Sequence, residues 1–164
     1  MENEHLLEAV RESLQAIVQP RFYETERGFQ GQLVSNLNSN LEETGLGNVI
    51  VEEEYSKVLR LHGLNIRPDI IIHTPFEGSG LDNRREGNFV VFELKRNATQ
   101  EDAFHDFGKL EQMGDKLNYP VGIFVNIASS ETYLENYAKS TNIELHSFAV
   151  NLDNEQVIVH EFHL

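Results

Sequence analysis

The sequence contains no cysteine among its 164 residues. Disulfide bonds, thiolate zinc sites and cysteine nucleophiles are therefore excluded. Long hydrophobic runs are also missing, since no apolar stretch approaches the ~20 residues that a membrane-spanning helix needs. The first residues, Met-Glu-Asn-Glu-His, do not resemble a signal peptide. These absences predict a soluble, cytoplasmic protein with no membrane partner.

Basic residues are scarce. Thirteen lysines and arginines stand against 27 aspartates and glutamates, which gives a formal net charge of −14. A protein that grips DNA over a broad surface is usually basic, because phosphate neutralisation supplies most of the affinity. The excess of acids lies on both sides of residues 67–109, which are close to neutral. A solvated acidic surface with a more balanced patch explains the bulk charge.

The apolar patterns alternate between helical and strand periodicity. An apolar content of 40% argues for a globular chain, and the length suits a single domain over residues 1–164. The predicted order is helix 3–18, helix 24–41, strand 49–55, strand 67–73, strand 89–95, helix 99–117, strand 121–127, a short helix 131–139, and strands 143–150 and 156–162. This order predicts an α/β (α+β) fold, with a central mixed β-sheet flanked by helices.

Two consecutive predicted strands carry charged residues at their ends. Asp69 comes directly before Ile70-Ile71-Ile72, and Glu93 and Lys95 close the strand that begins at Phe89. Residues i and i+2 of a strand point to the same face, so Glu93 and Lys95 project together. If the two strands are neighbours, Asp69 and Glu93 form a carboxylate pair with an ammonium beside it. This group has the chemistry of a divalent-metal site with a phosphate-facing cation.

Glu26 is a further acidic candidate, on the predicted helix 24–41. It lies three residues before Phe29 and seven before Leu33, so helical spacing puts it on the apolar face. A buried glutamate costs free energy unless it is paired or binds a metal. A glutamate in the first turn is also favoured by the helix dipole, so both explanations stay open.

Pro68-Asp69 and Glu93-Leu94-Lys95, on two consecutive apolar strands followed by a helix and another strand, resemble the PD-(D/E)XK nuclease superfamily. The resemblance implies a restriction-endonuclease-like core, onto which residues 24–127 can be laid element by element. The additional elements would be an N-terminal helix and a C-terminal helix plus strand pair.

The resemblance also implies roles for individual residues. Asp69 and Glu93 would bind Mg²⁺ or Mn²⁺, with the main-chain carbonyl of Leu94 as a further ligand. Lys95 would lie near the attacking water and the scissile phosphate. Many members carry a glutamate on the first core helix, so Glu26 joins the catalytic set as a candidate metal ligand.

Several polar side chains near these strands are candidates for binding substrate: Gln112, Lys109, Arg96, Arg84 and Arg85. A glutamine on the helix after the lysine recurs in some branches of the superfamily, although Lys116 stands where one such branch has a tyrosine. Arg84 and Arg85 lie in the predicted loop 74–87, where they either contact a nucleic-acid backbone or, as is slightly favoured, form a solvated loop tip.

Three functions are consistent with these residues. The leading hypothesis is a Mg²⁺-dependent deoxyribonuclease that hydrolyses phosphodiester bonds, with DNA preferred to RNA only through the resemblance. The second is a catalytically silent protein of the same fold, whose acidic surface serves interaction or regulation. The third treats Glu93 and Lys95 as a strand-end ion pair and Pro68-Asp69 as a turn.

The excess of acidic over basic residues further predicts that a nuclease of this kind dimerises or relies on a protein partner for targeting.

Overall fold

The computed structural model describes residues 2–43, 49–53, 66–75 and 87–164. The elements in this part of the chain are α1 (Glu2–Gln15), a 3₁₀ turn (Pro20–Tyr23), α2 (Glu26–Glu43), β1 (Ile50–Glu53), β2 (Ile70–His73), β3 (Asn88–Arg96), α3 (Gln100–Leu117), β4 (Val121–Ile127), a second 3₁₀ turn (Leu134–Asn136), β5 (Glu144–Asp153) and β6 (Gln156–His163). The predicted mixed sheet flanked by helices is confirmed. The predicted loop 74–87 lies mostly outside the described residues.

The six strands form one sheet in the order β1-β2-β3-β4-β5-β6. The first three strands pair antiparallel, β3, β4 and β5 pair parallel, and β6 returns antiparallel to β5. In the β2–β3 pair, Ile70 lies opposite Phe92. Because these strands run in opposite directions, the start of β2 and the end of β3 meet at one end of the sheet. The charged residues singled out in the sequence belong to this end.

Helices cover both faces of the sheet. On one face α1 and α2 pack residues such as Phe29 and Leu33 against Ile70 and Phe92. On the other face, α3 packs Phe107 and its apolar neighbours against alternate residues of the same strands: Ile71, Val91 and Phe124. Strand alternation therefore assigns Asp69, Glu93 and Lys95 to the face that α3 covers.

The start of α3 is fixed by two local devices. Thr99 caps the helix, with its side chain accepting from the Asp102 N–H at 3.2 Å while Asp102 Oδ2 accepts from the Thr99 N–H at 3.0 Å. The sequence spacing of Thr99 and Asp102, three residues apart at the start of the predicted helix 99–117, is that of a capping box, and both of its hydrogen bonds are present. The buried Asn126 on β4 accepts from the Ala98 N–H at 2.9 Å, so the connection into α3 is tied to the sheet.

A single 3₁₀ turn replaces the short helix predicted over residues 131–139. The preceding residue, Tyr133, has a φ of 57°, a left-handed conformation that no α-helix continues through. Side chains also take the carbonyls that a helix would pair internally: Asn126 donates to the Glu131 carbonyl at 2.9 Å, and Ser147 donates to the Thr132 carbonyl at 2.7 Å. These long-range bonds hold the segment against β4 and β5.

Glu111, on α3, holds the connection that follows the second 3₁₀ turn. Its buried carboxylate accepts from the Tyr137 hydroxyl at 2.6 Å and from the backbone N–H groups of Ser140 and Thr141 at 2.6 and 2.8 Å. Burial acts to raise the pKa of Glu111, but these hydrogen bonds lower it below its ordinary value.

Among the helices of the described ranges, none has the length and apolarity that crossing a membrane requires.

Candidate active site

The candidate site lies where the start of β2, the end of β3 and the first half of α3 meet. Asp69 precedes β2 by one residue, and its backbone N–H donates to the Phe92 carbonyl at 3.2 Å. It therefore extends the β2–β3 register by one position, where it faces Glu93. Asp69 Oδ2 accepts from the Leu94 N–H at 2.7 Å, which fixes its carboxylate against β3. The strand pairing thus brings the two predicted carboxylates to facing positions.

Glu93 is 3% exposed, and its Oε1 atom is buried without a hydrogen-bond partner in the part of the chain that the structure describes. Burial, reinforced by the negative charge of Asp69, raises the pKa of Glu93 to about 8. Burial also raises the pKa of Asp69, although the Leu94 N–H opposes this shift. Two neighbouring carboxylates that are largely shielded from water resist full ionisation unless a cation offsets their charge.

Lys109 supplies one such cation from α3. Its ammonium lies 2.8 Å from Glu93 Oε2 and 3.4 Å from Asp106 Oδ1. Burial alone would lower the pKa of Lys109, but the carboxylates of Glu93 and Asp106 raise it above its ordinary value. Lys109 was predicted to bind substrate, and the structure places it as the counter-ion of the carboxylates.

Lys95 lies on the same face of β3 as Glu93 and is half-buried beside Asn126. It forms no ion pair with any residue in the described ranges, whereas Glu93 pairs with Lys109. The interpretation of Glu93 and Lys95 as a strand-end ion pair is therefore wrong. The reason is that α3 lies over this face and brings a second lysine to Glu93.

Glu26 is exposed, so its predicted position on the buried stripe of α2 is wrong. The helix begins at this residue, after Thr25, whose hydroxyl accepts from the Gly28 N–H at 3.0 Å. Glu26 nevertheless reaches the end of β3, where its Oε2 accepts from the Arg96 N–H at 3.3 Å. Its charge contributes to raising the pKa of Asp69.

The other substrate-binding candidates are less closely associated with the carboxylates. Arg96 is exposed, and its Nε donates to the Tyr23 carbonyl at 2.8 Å. Gln112 is exposed on α3, one turn beyond Lys109, and contacts no site residue among those described. Arg84 and Arg85 lie outside the described residues.

Sequence reasoning did not identify three residues that hold the site together. Asp106 is 2% exposed and contacts Lys109. Gln30 is buried, and its amide donates to the Asp69 carbonyl at 3.2 Å and to Glu53 Oε1 at 3.4 Å. Asn126 anchors the entry to α3. The available signal was a polar residue inside an apolar pattern, which is visible for Asn126 in β4.

The donor set fits a hard divalent cation. Asp69 and Glu93 offer carboxylate oxygens, and the buried Glu93 Oε1 has no described partner that would compete for it. Mg²⁺ binds through one or two carboxylates and keeps several waters, so a pair is sufficient. Within the described ranges no group of three or more histidine, aspartate or glutamate side chains is arranged to hold a metal ion. Glu26 is thus not brought in as a third carboxylate ligand, and the Leu94 carbonyl stays a prediction.

No protein-family model and no curated protein matches the sequence. Among solved structures, cAAA-bound NucC of E. coli superposes with a TM-score of 0.51 at 10% identity, covering 98% of this chain and 82% of NucC. For cAAA-bound NucC of P. aeruginosa the TM-score is 0.47 at 10% identity, with the same coverage of 98% and 82%.

SfsA of Pyrococcus furiosus, in complex with Ca²⁺, gives a TM-score of 0.45 at 10% identity over 82% of this chain. This chain spans 62% of the length of SfsA. SfsA and NucC both have restriction-endonuclease-like structures of the PD-(D/E)XK type. With its six-stranded mixed sheet and its agreement with E. coli NucC, the chain has a restriction-endonuclease-like α+β fold.

Proposed function

We propose that the chain is a metal-dependent nuclease that hydrolyses phosphodiester bonds in DNA. The observation that carries this proposal is the facing pair of Asp69 and Glu93 at the end of the β2–β3 ladder. Glu93 is almost fully buried there, and a divalent cation would stabilise both carboxylates in their charged form. DNA is preferred to RNA through the sequence resemblance.

The residues of the chain would divide the work in the following way. Asp69 and Glu93 would hold Mg²⁺ or Mn²⁺, and the Leu94 N–H keeps the Asp69 carboxylate in place. When bound, the metal supplies an acidified water and offsets charge on the phosphate. Lys95, on the same face and without an ion pair in the described ranges, would stabilise the negative charge that develops on the phosphoryl oxygens.

A second candidate function is a catalytically silent interaction module of the same fold. The observation that favours it is the ammonium of Lys109, which already compensates Glu93 at 2.8 Å. The net charge of −14 would then serve a protein partner rather than nucleic acid.

Calorimetric titration with Mn²⁺ and Mg²⁺ separates the two candidates, when combined with nicking of a supercoiled plasmid. The nuclease requires metal binding and nicking in the wild type, and the loss of both in Asp69→Asn and in Glu93→Gln. Glu101→Gln is the matched control, because Glu101 is an exposed carboxylate on α3. Absence of metal binding in the wild type, even with a DNA oligonucleotide present, would refute the nuclease and favour the silent module.

A further inference from the structure

Asp106 is a buried acid for which the proposed chemistry has no role. It is 2% exposed, and its carboxylate makes a single hydrogen-bonded ion pair among the described residues, from Oδ1 to the Lys109 ammonium at 3.4 Å. Its Oδ2 atom is buried and accepts no hydrogen bond in the described ranges. A buried carboxylate in this state is costly, because the lost hydration is not replaced. Asp106 Oδ2 is therefore an acceptor that can take a further hydrogen bond.

Lys109 is placed to donate that hydrogen bond to Asp106. It lies one helical turn after Asp106, so the two side chains stay neighbours whatever else Lys109 contacts. Its ammonium has three donors on a flexible stem, and its side chain is 29% exposed, which leaves room for it to turn. A shift from Glu93 to Asp106 therefore needs a change of side-chain rotamer and no movement of α3.

The charges of the site indicate when such a shift would occur. Asp69, Glu93 and Asp106 carry three negative charges when ionised, and Lys109 carries one positive charge. The opposite charges of Glu26 and Lys95 cancel in the sum. A divalent cation would bring the sum to zero, but Lys109 already occupies Glu93 Oε2 at 2.8 Å. A cation at Glu93 Oε1, which has no described partner, would lie on the same carboxylate as the ammonium at Oε2, so the two positive charges would repel each other. Asp106 Oδ2, which has no hydrogen-bond partner in the described ranges, is an alternative acceptor for the ammonium.

We propose that Lys109 is an exchangeable counter-ion, which leaves Glu93 for Asp106 when a divalent cation binds, and that Asp106 is the positioning residue that receives it. This inference rests on the metal site of the proposed function. It adds that metal affinity is set by a competition inside the chain, through two residues that are not metal ligands themselves.

The test is Mn²⁺ calorimetry at constant pH on Lys109→Met, Asp106→Asn and the double variant. Lys109→Met removes the competitor and should tighten binding about tenfold, whereas Asp106→Asn removes the acceptor and should weaken binding about tenfold, as expected for hydrogen bonds between charged groups. In the Lys109→Met background, Asp106→Asn should have a much smaller effect, because only the direct charge interaction of Asp106 with Asp69 and Glu93 is then left to remove.

The chain contains a matched control pair on the same helix. Lys116 and Asp115 lie 3.2 Å apart and are both exposed, so Lys116→Met and Asp115→Asn change the same charges away from the site. Both should bind Mn²⁺ with wild-type affinity. If Lys109→Met and Asp106→Asn behave like these controls while Asp69→Asn abolishes binding, the counter-ion exchange is overturned and the metal site stands. Equal weakening by Asp106→Asn in both backgrounds would also overturn the exchange, since Asp106 would then act without Lys109.

Two further outcomes concern the wild type. If Lys109→Met binds metal and the wild type does not, Lys109 holds the site permanently. That outcome would overturn the exchange and refute the nuclease function. No binding by either protein would overturn both proposals.

A measurement on the wild-type protein covers the case in which a variant fails to fold. The side-chain ammonium resonances of ¹⁵N-labelled lysine can be followed by NMR, with that of Lys109 identified by its absence in Lys109→Arg. Addition of Mg²⁺ should move the Lys109 resonance and leave that of Lys116 unchanged. An unmoved Lys109 resonance at metal saturation would contradict the exchange.

Discussion

Glu93 is an acid whose charge the fold makes costly. Burial and the neighbouring Asp69 raise its pKa from an ordinary value of 4.5 to about 8, although Lys109 acts in the opposite direction. Between these two pH values the folded chain keeps a proton that the unfolded chain has released. The metal-free protein therefore loses stability as the pH rises through this range.

Glu93→Gln should remove this contribution. We expect the free energy of unfolding of the wild type, relative to Glu93→Gln, to fall by up to ~1.4 kcal/mol per pH unit between about pH 5 and 8. Urea denaturation in the presence of a chelator measures it, with the exposed Glu101→Gln as control. Parallel pH profiles for wild type and Glu93→Gln would contradict the raised pKa.

Lys95 should be needed for cleavage and not for metal binding. It is half-buried on the face of β3 that carries Glu93 and makes no ion pair in the described ranges, so its loss breaks no described ion pair. Lys95→Met should reduce plasmid nicking by about 100-fold or more, the effect of removing one stabilising charge from the transition state. Calorimetry should find Mn²⁺ binding retained, and the exposed Lys116→Met should keep full activity. Unchanged nicking in Lys95→Met would exclude the proposed role.

The position of α3 over the sheet decides which side chains reach the carboxylates. Near its end the helix passes very close to the segment before β5: a Cβ atom on Gly114 would lie 2.8 Å from Ile143 Cβ and 2.7 Å from its Cδ1. The methyl tip of Ile143 can turn away, but its Cβ moves only with the backbone. Gly114 is therefore required for the close approach of α3 to this segment.

The same glycine-to-alanine substitution at two helical positions, Gly114 and Gly31, tests this contact. Gly114→Ala should destabilise the fold by about 1–3 kcal/mol, the cost of overpacking a filled interface. Gly31, exposed on α2, has no atom within 4 Å of an added Cβ, and Gly31→Ala should stabilise by about 0.5–1 kcal/mol through helix propensity. Thermal and urea unfolding measure both. Equal effects of the two substitutions would contradict the close packing of α3.

At the level of the whole molecule, the net charge of −14 opposes the approach of a polyanion. Screening by salt weakens this repulsion as well as any local attraction around Lys95 and Arg96, so the two effects offset each other. The proposed nuclease thus lacks the broad electrostatic attraction that supplies most non-specific DNA affinity. Targeting by a second copy of the chain or by another protein would replace it.

We expect weak DNA binding with little salt dependence. The dissociation constant for a duplex oligonucleotide without metal should exceed about 10⁻⁶ M, and the log–log slope against salt should be shallower than about −2, corresponding to two or fewer neutralised phosphates. Fluorescence anisotropy between 50 and 200 mM salt measures both quantities. Tight binding with a steep slope would show that the chain grips DNA by itself and needs no targeting partner.

The amino-acid sequence alone determined the features that depend on local periodicity. Continuous apolar runs located β2, β3 and β4, and the Thr99–Asp102 capping box located the start of α3. Asp69 and Glu93 were expected to form a carboxylate pair on the condition that their two strands are neighbours, which they are. These predictions needed only the period of a strand or a helix and the chemistry of one residue against its neighbours in the chain.

Only the tertiary structure decided how the site is closed. The ion pair of Lys109 with Glu93 depends on where the axis of α3 crosses the sheet, which helical periodicity does not define. Glu26 is exposed because α2 begins there, at the edge of the core. The segment 131–139 is not an α-helix, because the side chains of Asn126 on β4 and Ser147 on β5 donate hydrogen bonds to its carbonyl groups. In each case a contact between distant residues overrides a local preference, since buried polar groups must find partners wherever the fold supplies them.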